Sequence, residues 1–209
     1  LCSGSSGNVQ VEHVYRGTVS GVLFRDDDHR EIVVALKGTT SDEEWLMDFK
    51  IYPMPYHFLS KRKKGWRKYF SFDSDCRGCT VHKGFYDGSK EIYDNMFAQI
   101  AELAHAYPDY TLVVTGHSLG GAIAPIIANE LLFLPADRTI TVISFGSPKI
   151  GNKLFAKWVD EAWNTRYHYD NLHSGLHKSA YIRVSHKDDV VPLLPVKQLG
   201  FYHCGIDLY

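Results

Sequence analysis

An α/β fold, with a mostly parallel central sheet covered by helices on both faces, is what this 209-residue chain predicts. Three observations carry that expectation. β-rich runs alternate with helical ones along most of the chain. One strand-like run turns directly into a helix through a glycine-flanked serine. The length suits one well-buried domain and is short for two.

The elements follow in order. Residues 19–24 and 31–37 are rich in β-formers and are separated by the polar stretch 25–30, which reads as a hairpin. Residues 41–49 predict a short helix with Trp45, Leu46 and Phe49 on one side, and 50–75 is long and irregular. Between 89 and 107, Ile92, Met96, Ile100, Leu103 and Tyr107 repeat at helical spacing, and Pro108 ends the run. A strand at 111–115 leads to a helix over 119–133. Pro125 stands deep enough in that helix to predict a kink or a break. A strand at 139–144, a helix at 152–163 and a strand at 180–185 complete the pattern, with polar residues between 166 and 178. No repeat or linker is evident.

Composition excludes several classes of function. The chain is 44% hydrophobic and 22% charged, ordinary values for a globular protein. A net charge of −1 gives no electrostatic case for nucleic acid. No apolar run approaches the length of a transmembrane helix. Residues 1–7 have neither a basic start nor an apolar core, so no signal peptide is read there and the chain is taken as mature, trimmed or partial. Four cysteines, Cys2, Cys76, Cys79 and Cys204, suit two disulfides and an oxidising compartment, which makes the protein a secreted or secretory-lumen one. The favoured pairing is 76–79 with 2–204, against free thiols. Nothing supports a metal site, because no second C-x-x-C or nearby histidine pair accompanies Cys76 and Cys79.

The chemistry concentrates at Gly116, His117, Ser118, Leu119 and Gly120, a G-x-S-x-G sequence preceded by strand-formers and followed by an apolar helix. A serine hydroxyl is a weak nucleophile and needs an exposed, sharply turned position with a base beside it. The glycines clear space where strand and helix cross, and the Leu119 N–H at the helix start is free to hold an oxyanion. The competing reading is a tight glycine-rich turn with a solvated serine. A base and an orienting acid must follow in the order nucleophile, acid, histidine. The strand at 180–185 delivers Asp188 and Asp189, which order alone does not separate. His203, fourteen residues beyond Asp189, is the remaining downstream histidine. His168, His173 and His177 precede the acid in a polar stretch and read as surface residues. His186 also precedes it, His117 reads as packed into the turn, and His82 as buried and hydrogen-bonded.

Several segments together resemble the class 3 lipase family, the fungal triacylglycerol lipases and their feruloyl-esterase relatives. They are IVVALKGT (32–39), 42–48, VHKGF (81–85), GHSLGG (116–121), SFGSPKIGN (144–152), DVVP (189–192) and GFYH (200–203). The resemblance implies an α/β-hydrolase fold and a triad of Ser118, Asp189 and His203, with Asp189 preferred over Asp188. It also implies Thr39, after Gly38, as the second oxyanion donor beside Leu119. The segment 41–49 corresponds to the family's lid, so Trp45, Leu46 and Phe49 would meet lipid when it opens. Family members have further N-terminal elements, so the chain is expected to be one domain over 1–209 that lacks them.

The run 61–68 holds six basic residues beside Trp66, Tyr69 and Phe70. A solvated insertion is the favoured reading, ahead of a contact with anionic lipid or an exposed cleavage site. The expected function is hydrolysis of tri-, di- or monoacylglycerols through an acyl-serine, at a lipid–water interface. It would proceed without metal or organic cofactor, in a monomer. Feruloyl or aryl esters are the alternative substrates. A phospholipase and a silent lipase-like binding module are the weaker readings.

Overall fold

The two β-rich runs around the polar segment form the expected hairpin. In this computed structural model, β2 (Ser20–Asp26) pairs antiparallel with β3 (Glu31–Lys37), with Asp26 opposite Glu31. The turn follows from its residues. One Asp26 carboxylate oxygen accepts from the backbone N–H groups of Asp28 and His29, both at 3.0 Å, and Arg30 takes the left-handed conformation at φ 57°. The structure describes residues 7–38, 52–60, 76–134, 138–171 and 179–209. Cys2, Thr39, the helix expected over 41–49 with Trp45, Leu46 and Phe49, the basic run 61–68, His173 and His177 lie outside the described residues.

Among the described residues, the main sheet has seven strands. β1 (Val9–Tyr15), which the sequence reading missed, pairs antiparallel with β2 and forms one edge. From β3 the sheet is parallel: β3, β6 (Thr111–His117), β7 (Ile140–Phe145), β8 (Ala180–Val184) and β9 (Ile206–Leu208). Two short strands, β4 (Pro53–Pro55) and β5 (Thr80–His82), make a separate ribbon. Along β3 and β6 the buried residues alternate: Ile32, Val34 and Leu36, then Leu112, Val114 and Gly116. The residues between them are partly exposed, so among the described residues one sheet face is covered more deeply than the other.

Among the described residues, four α-helices pack on this framework. The helical period expected from residue 89 belongs to α1 (Lys83–Ala106), which starts earlier and buries Phe85, Ile92, Met96, Ile100 and Ala104. Full burial of each large apolar side chain contributes about 1.5–3 kcal/mol. Next is α2 (Leu119–Leu131), in which all 13 residues are buried. The helix runs through Pro125 without the expected break, since packing on every side outweighs a local cost of roughly 3 kcal/mol. α3 (Lys153–Ala162) is capped by Asn152, whose side-chain oxygen accepts from Phe155 N–H at 2.9 Å. α4 (Thr165–Asp170) lies where a polar insertion was expected. Its His168, read as a surface residue, is buried with Nε2 2.9 Å from the Ser179 carbonyl oxygen.

Cys76 and Cys79 form the expected local disulfide. Cys204 is a buried free thiol, and Cys2, its expected partner, lies outside the described residues. Among the described residues, no helix is long and apolar enough to cross a membrane.

Candidate active site

β6 ends one residue before Ser118, and α2 begins one residue after it. That leaves Ser118 alone to turn the chain, which it does at φ 54° and ψ −121°, a conformation that L-residues visit rarely. Three contacts hold it there. The Ser118 N–H donates to the Phe145 carbonyl of β7 at 3.0 Å, and its own carbonyl accepts from Ala122 N–H at 3.1 Å in the first turn of α2. The third is steric: a Cβ on Gly120 would stand 2.2 Å from the Leu36 carbonyl oxygen, and one on Gly116 2.4 Å from the backbone of Gly120. Only glycine lets β3, β6 and α2 meet this closely.

The same crossing builds the anion site. The place a Gly38 Cβ would occupy is 3.3 Å from the Leu119 nitrogen and 3.4 Å from the Gly120 nitrogen. First-turn N–H groups of a helix have no partner within it, so these two amides face the end of β3 with hydrogens to donate. Thr39, the expected second donor, follows Gly38 in sequence and lies outside the described residues.

Asp189 arrives from the next strands. The chain leaves β8, turns at His186, whose carbonyl accepts from Asp189 N–H at 3.0 Å, and leaves the Asp189 side chain half-buried. One carboxylate oxygen accepts from Val191 N–H at 2.9 Å. The other lies 2.6 Å from where a Gly146 Cβ would be, a point that is also 3.3 Å from His117 Nε2. Asp189 therefore stands beside the last residue of β6 and next to the turn carrying Ser118. Asp188 is exposed, with its carboxylate 3.9 Å from His186 Nδ1. His117, expected to pack inward, is exposed.

His203 does not join them. Its Nε2 lies 2.7 Å from the Pro192 carbonyl oxygen, which can only accept, so Nε2 carries a hydrogen and donates it there. The ring lines a cavity of about 840 Å³ with Lys153, Lys157, Asp160 and Tyr202, against α3. Burial, followed by the nearby Arg183, pulls the imidazole down to about 4. Among the described residues it makes no hydrogen bond to Ser118 or Asp189. Order along the chain picked out His203, but the placement of its ring depends on the Pro192 loop. Sequence reasoning also missed Lys149, which donates to the same Pro192 carbonyl at 3.1 Å. No spacing rule would have singled it out.

A strained serine between a parallel strand and a buried helix, with free amides beside it and an acid after a later strand, defines an α/β-hydrolase. Residues 33–199 match the class 3 lipase family, and the chain belongs to it. It is 34% identical over 208 residues to a secreted mono- and diacylglycerol lipase of Gibberella zeae, covering 98% of this chain and 49% of that protein. The lipase of Rhizomucor miehei is 28% identical, covering 89% of this chain and 43% of its own length. Among solved structures, the Lip2 lipase of Yarrowia lipolytica superposes with a TM-score of 0.77 at 26% identity, covering 98% of this chain and 68% of that one. The chain spans about half the length of the curated relatives it matches.

Proposed function

We propose that the protein is a serine ester hydrolase that cleaves acylglycerols through an acyl-Ser118 intermediate at a lipid–water interface. The observation that carries this reading is the geometry of Ser118, held at φ 54° with the Leu119 and Gly120 amides facing the end of β3. An imidazole takes the serine proton as Oγ attacks the ester carbonyl; among the described residues no histidine ring is hydrogen-bonded to Ser118, and His203 is turned to Pro192. The negative charge that develops on the carbonyl oxygen falls to Leu119 N–H, with Thr39 as its partner. Each such donor lowers the barrier by about 3–4 kcal/mol. The tetrahedral intermediate collapses, the leaving alcohol receives the proton, and water then repeats the sequence on the acyl ester. Asp189 orients the imidazole and stabilises its charged form.

Exposed Val190 and Leu193 follow Asp189, and exposed Phe145 ends β7, which gives this end of the parallel strands an apolar rim suited to acyl chains. The lid role of Trp45, Leu46 and Phe49 belongs to the same proposal. The Cys76–Cys79 disulfide and the secreted relatives support an extracellular or secretory-lumen location.

The test is a series of esters from soluble short-chain to emulsified long-chain acylglycerols, with wild type beside Ser118→Ala. Turnover that rises when the substrate forms an interface, and falls by a factor of about 10⁶ in the variant, is the expected outcome. Equal rates for both proteins would remove the reading.

A further inference from the structure

The loop that presents Asp189 is fastened by side chains. Residues 189–195 include one short 3₁₀ turn, Val191–Leu193, and Pro192 within it is buried. Two donors converge on the Pro192 carbonyl oxygen: His203 Nε2 at 2.7 Å and Lys149 Nζ at 3.1 Å. Lys149 also donates from Nζ to the Leu193 carbonyl and from its backbone N–H to the Leu194 carbonyl at 2.7 Å.

Both donors have rigid mounts. Lys149 lies between β7 and α3, one residue before the buried Ile150. His203 is fixed on either side in sequence: Tyr202 N–H donates to the Gly151 carbonyl at 2.8 Å, and Arg183 Nε donates to the Cys204 carbonyl at 2.9 Å. Burial above all, with Arg183 and Lys149 adding to it and Asp207 opposing, keeps the imidazole neutral at working pH; Lys153, Lys157, Asp160, Glu161 and Arg166 are the other charged groups lining the cavity at the ring.

We propose that His203 and Lys149 are positioning residues that hold the Pro192 carbonyl from two sides, fixing the loop so that the Asp189 carboxylate stands beside the Ser118 turn. His203 then acts as a fixed donor and takes no proton from the serine. The inference rests on the ester-hydrolase reading for its effect on turnover, but the anchor itself is a matter of geometry. A carboxylate displaced by about 1 Å costs on the order of 100-fold in rate.

The experiment compares wild type, Ser118→Ala, His203→Ala, His203→Gln and Lys149→Met, in the complete protein, on a soluble p-nitrophenyl ester. Glutamine can present an amide N–H near the position of Nε2, but it cannot act as a base. The expected result is a fall in kcat of about 10- to 100-fold for His203→Ala and Lys149→Met, with KM within about twofold. His203→Gln recovers most of the loss. A glutamine variant as inactive as the alanine one, both down by about 10³-fold or more, would make His203 the base and overturn the proposal. So would alanine and glutamine variants that both match wild type.

A readout independent of turnover covers variants that do not fold, and a wild type no faster than Ser118→Ala. The ¹⁵N shifts of the His203 ring in the wild-type protein should keep the Nε2–H form from pH 5 to 8. A ring that titrates near its ordinary value would refute the anchor, whether or not the protein is an esterase.

Discussion

Replacing Gly146 by alanine tests whether Asp189 works where the structure puts it. Gly146 follows β7 at φ 53°, and its missing Cβ leaves room for one carboxylate oxygen of Asp189, 2.6 Å from where that carbon would be. A relaxed carbon–oxygen contact is about 3.3–3.6 Å, so the carboxylate must retreat by about 0.7–1 Å. The obstructing atom is the tip of a side chain, so the fold has only the left-handed alanine to absorb. That costs roughly 1–2 kcal/mol, or about 2–8 °C in melting temperature for a chain of this size. Catalysis should suffer more. A displacement of that size costs about two powers of ten in rate, equivalent to about 2.7 kcal/mol. The assay is kcat on a soluble ester beside a thermal melt, with Asp189→Asn as the limiting case at about 10⁴-fold. A Gly146→Ala protein that melts as expected yet keeps kcat within twofold of wild type would refute the role given to Asp189.

Three further outcomes are expected. Alanine at Gly120 would set a carbon 2.2 Å from the Leu36 carbonyl oxygen, a backbone atom that cannot swing away, so we expect a loss of about 1–3 kcal/mol or more in chemical denaturation. Asn129 accepts from the buried Trp163 Nε1 at 2.8 Å, and Asn129→Ala should cost about 1–3 kcal/mol by leaving that N–H without a partner, read from the urea midpoint. His203 is held at about 4, below its ordinary 6.5, so the unfolded chain takes up a proton in that window and the folded protein does not. Its contribution is therefore complete above pH 6.5 and lost as pH falls toward 4, by up to about 3 kcal/mol, and His203→Gln should flatten that part of the stability–pH curve.

What was legible in the sequence is local. The strand–serine–helix turn was readable because its glycines, its β-formers and its apolar helix are adjacent in the chain. The hairpin was readable from two β-rich runs around a polar turn. β1 escaped because Val9, Val11 and Val14 are exposed on an edge strand, and β9 because three residues give no period. The helical period was read only from residue 89, whereas α1 begins at Lys83; a Cβ on Gly88 would lie 2.7 Å from Ile123, so that glycine permits close packing of α1 on α2. The histidines show the limit most clearly. Chain order separates residues before and after an acid, but the partner of a ring is set by segments far away in sequence. Ser179 buries His168, and Pro192 captures His203.

The burial of α2 on every side has a practical consequence for anyone measuring this protein. Ser118 is joined to β6 and α2, the innermost strand–helix pair, so hydrogen exchange at the amides of α2 should be as slow as whole-molecule opening. The acid loop hangs from three side-chain hydrogen bonds, two from Lys149 and one from His203, and has no such protection. Under mild denaturant the two halves of the machinery should separate in time. Turnover would fade while the serine turn is still intact, and activity would underestimate how much folded protein remains.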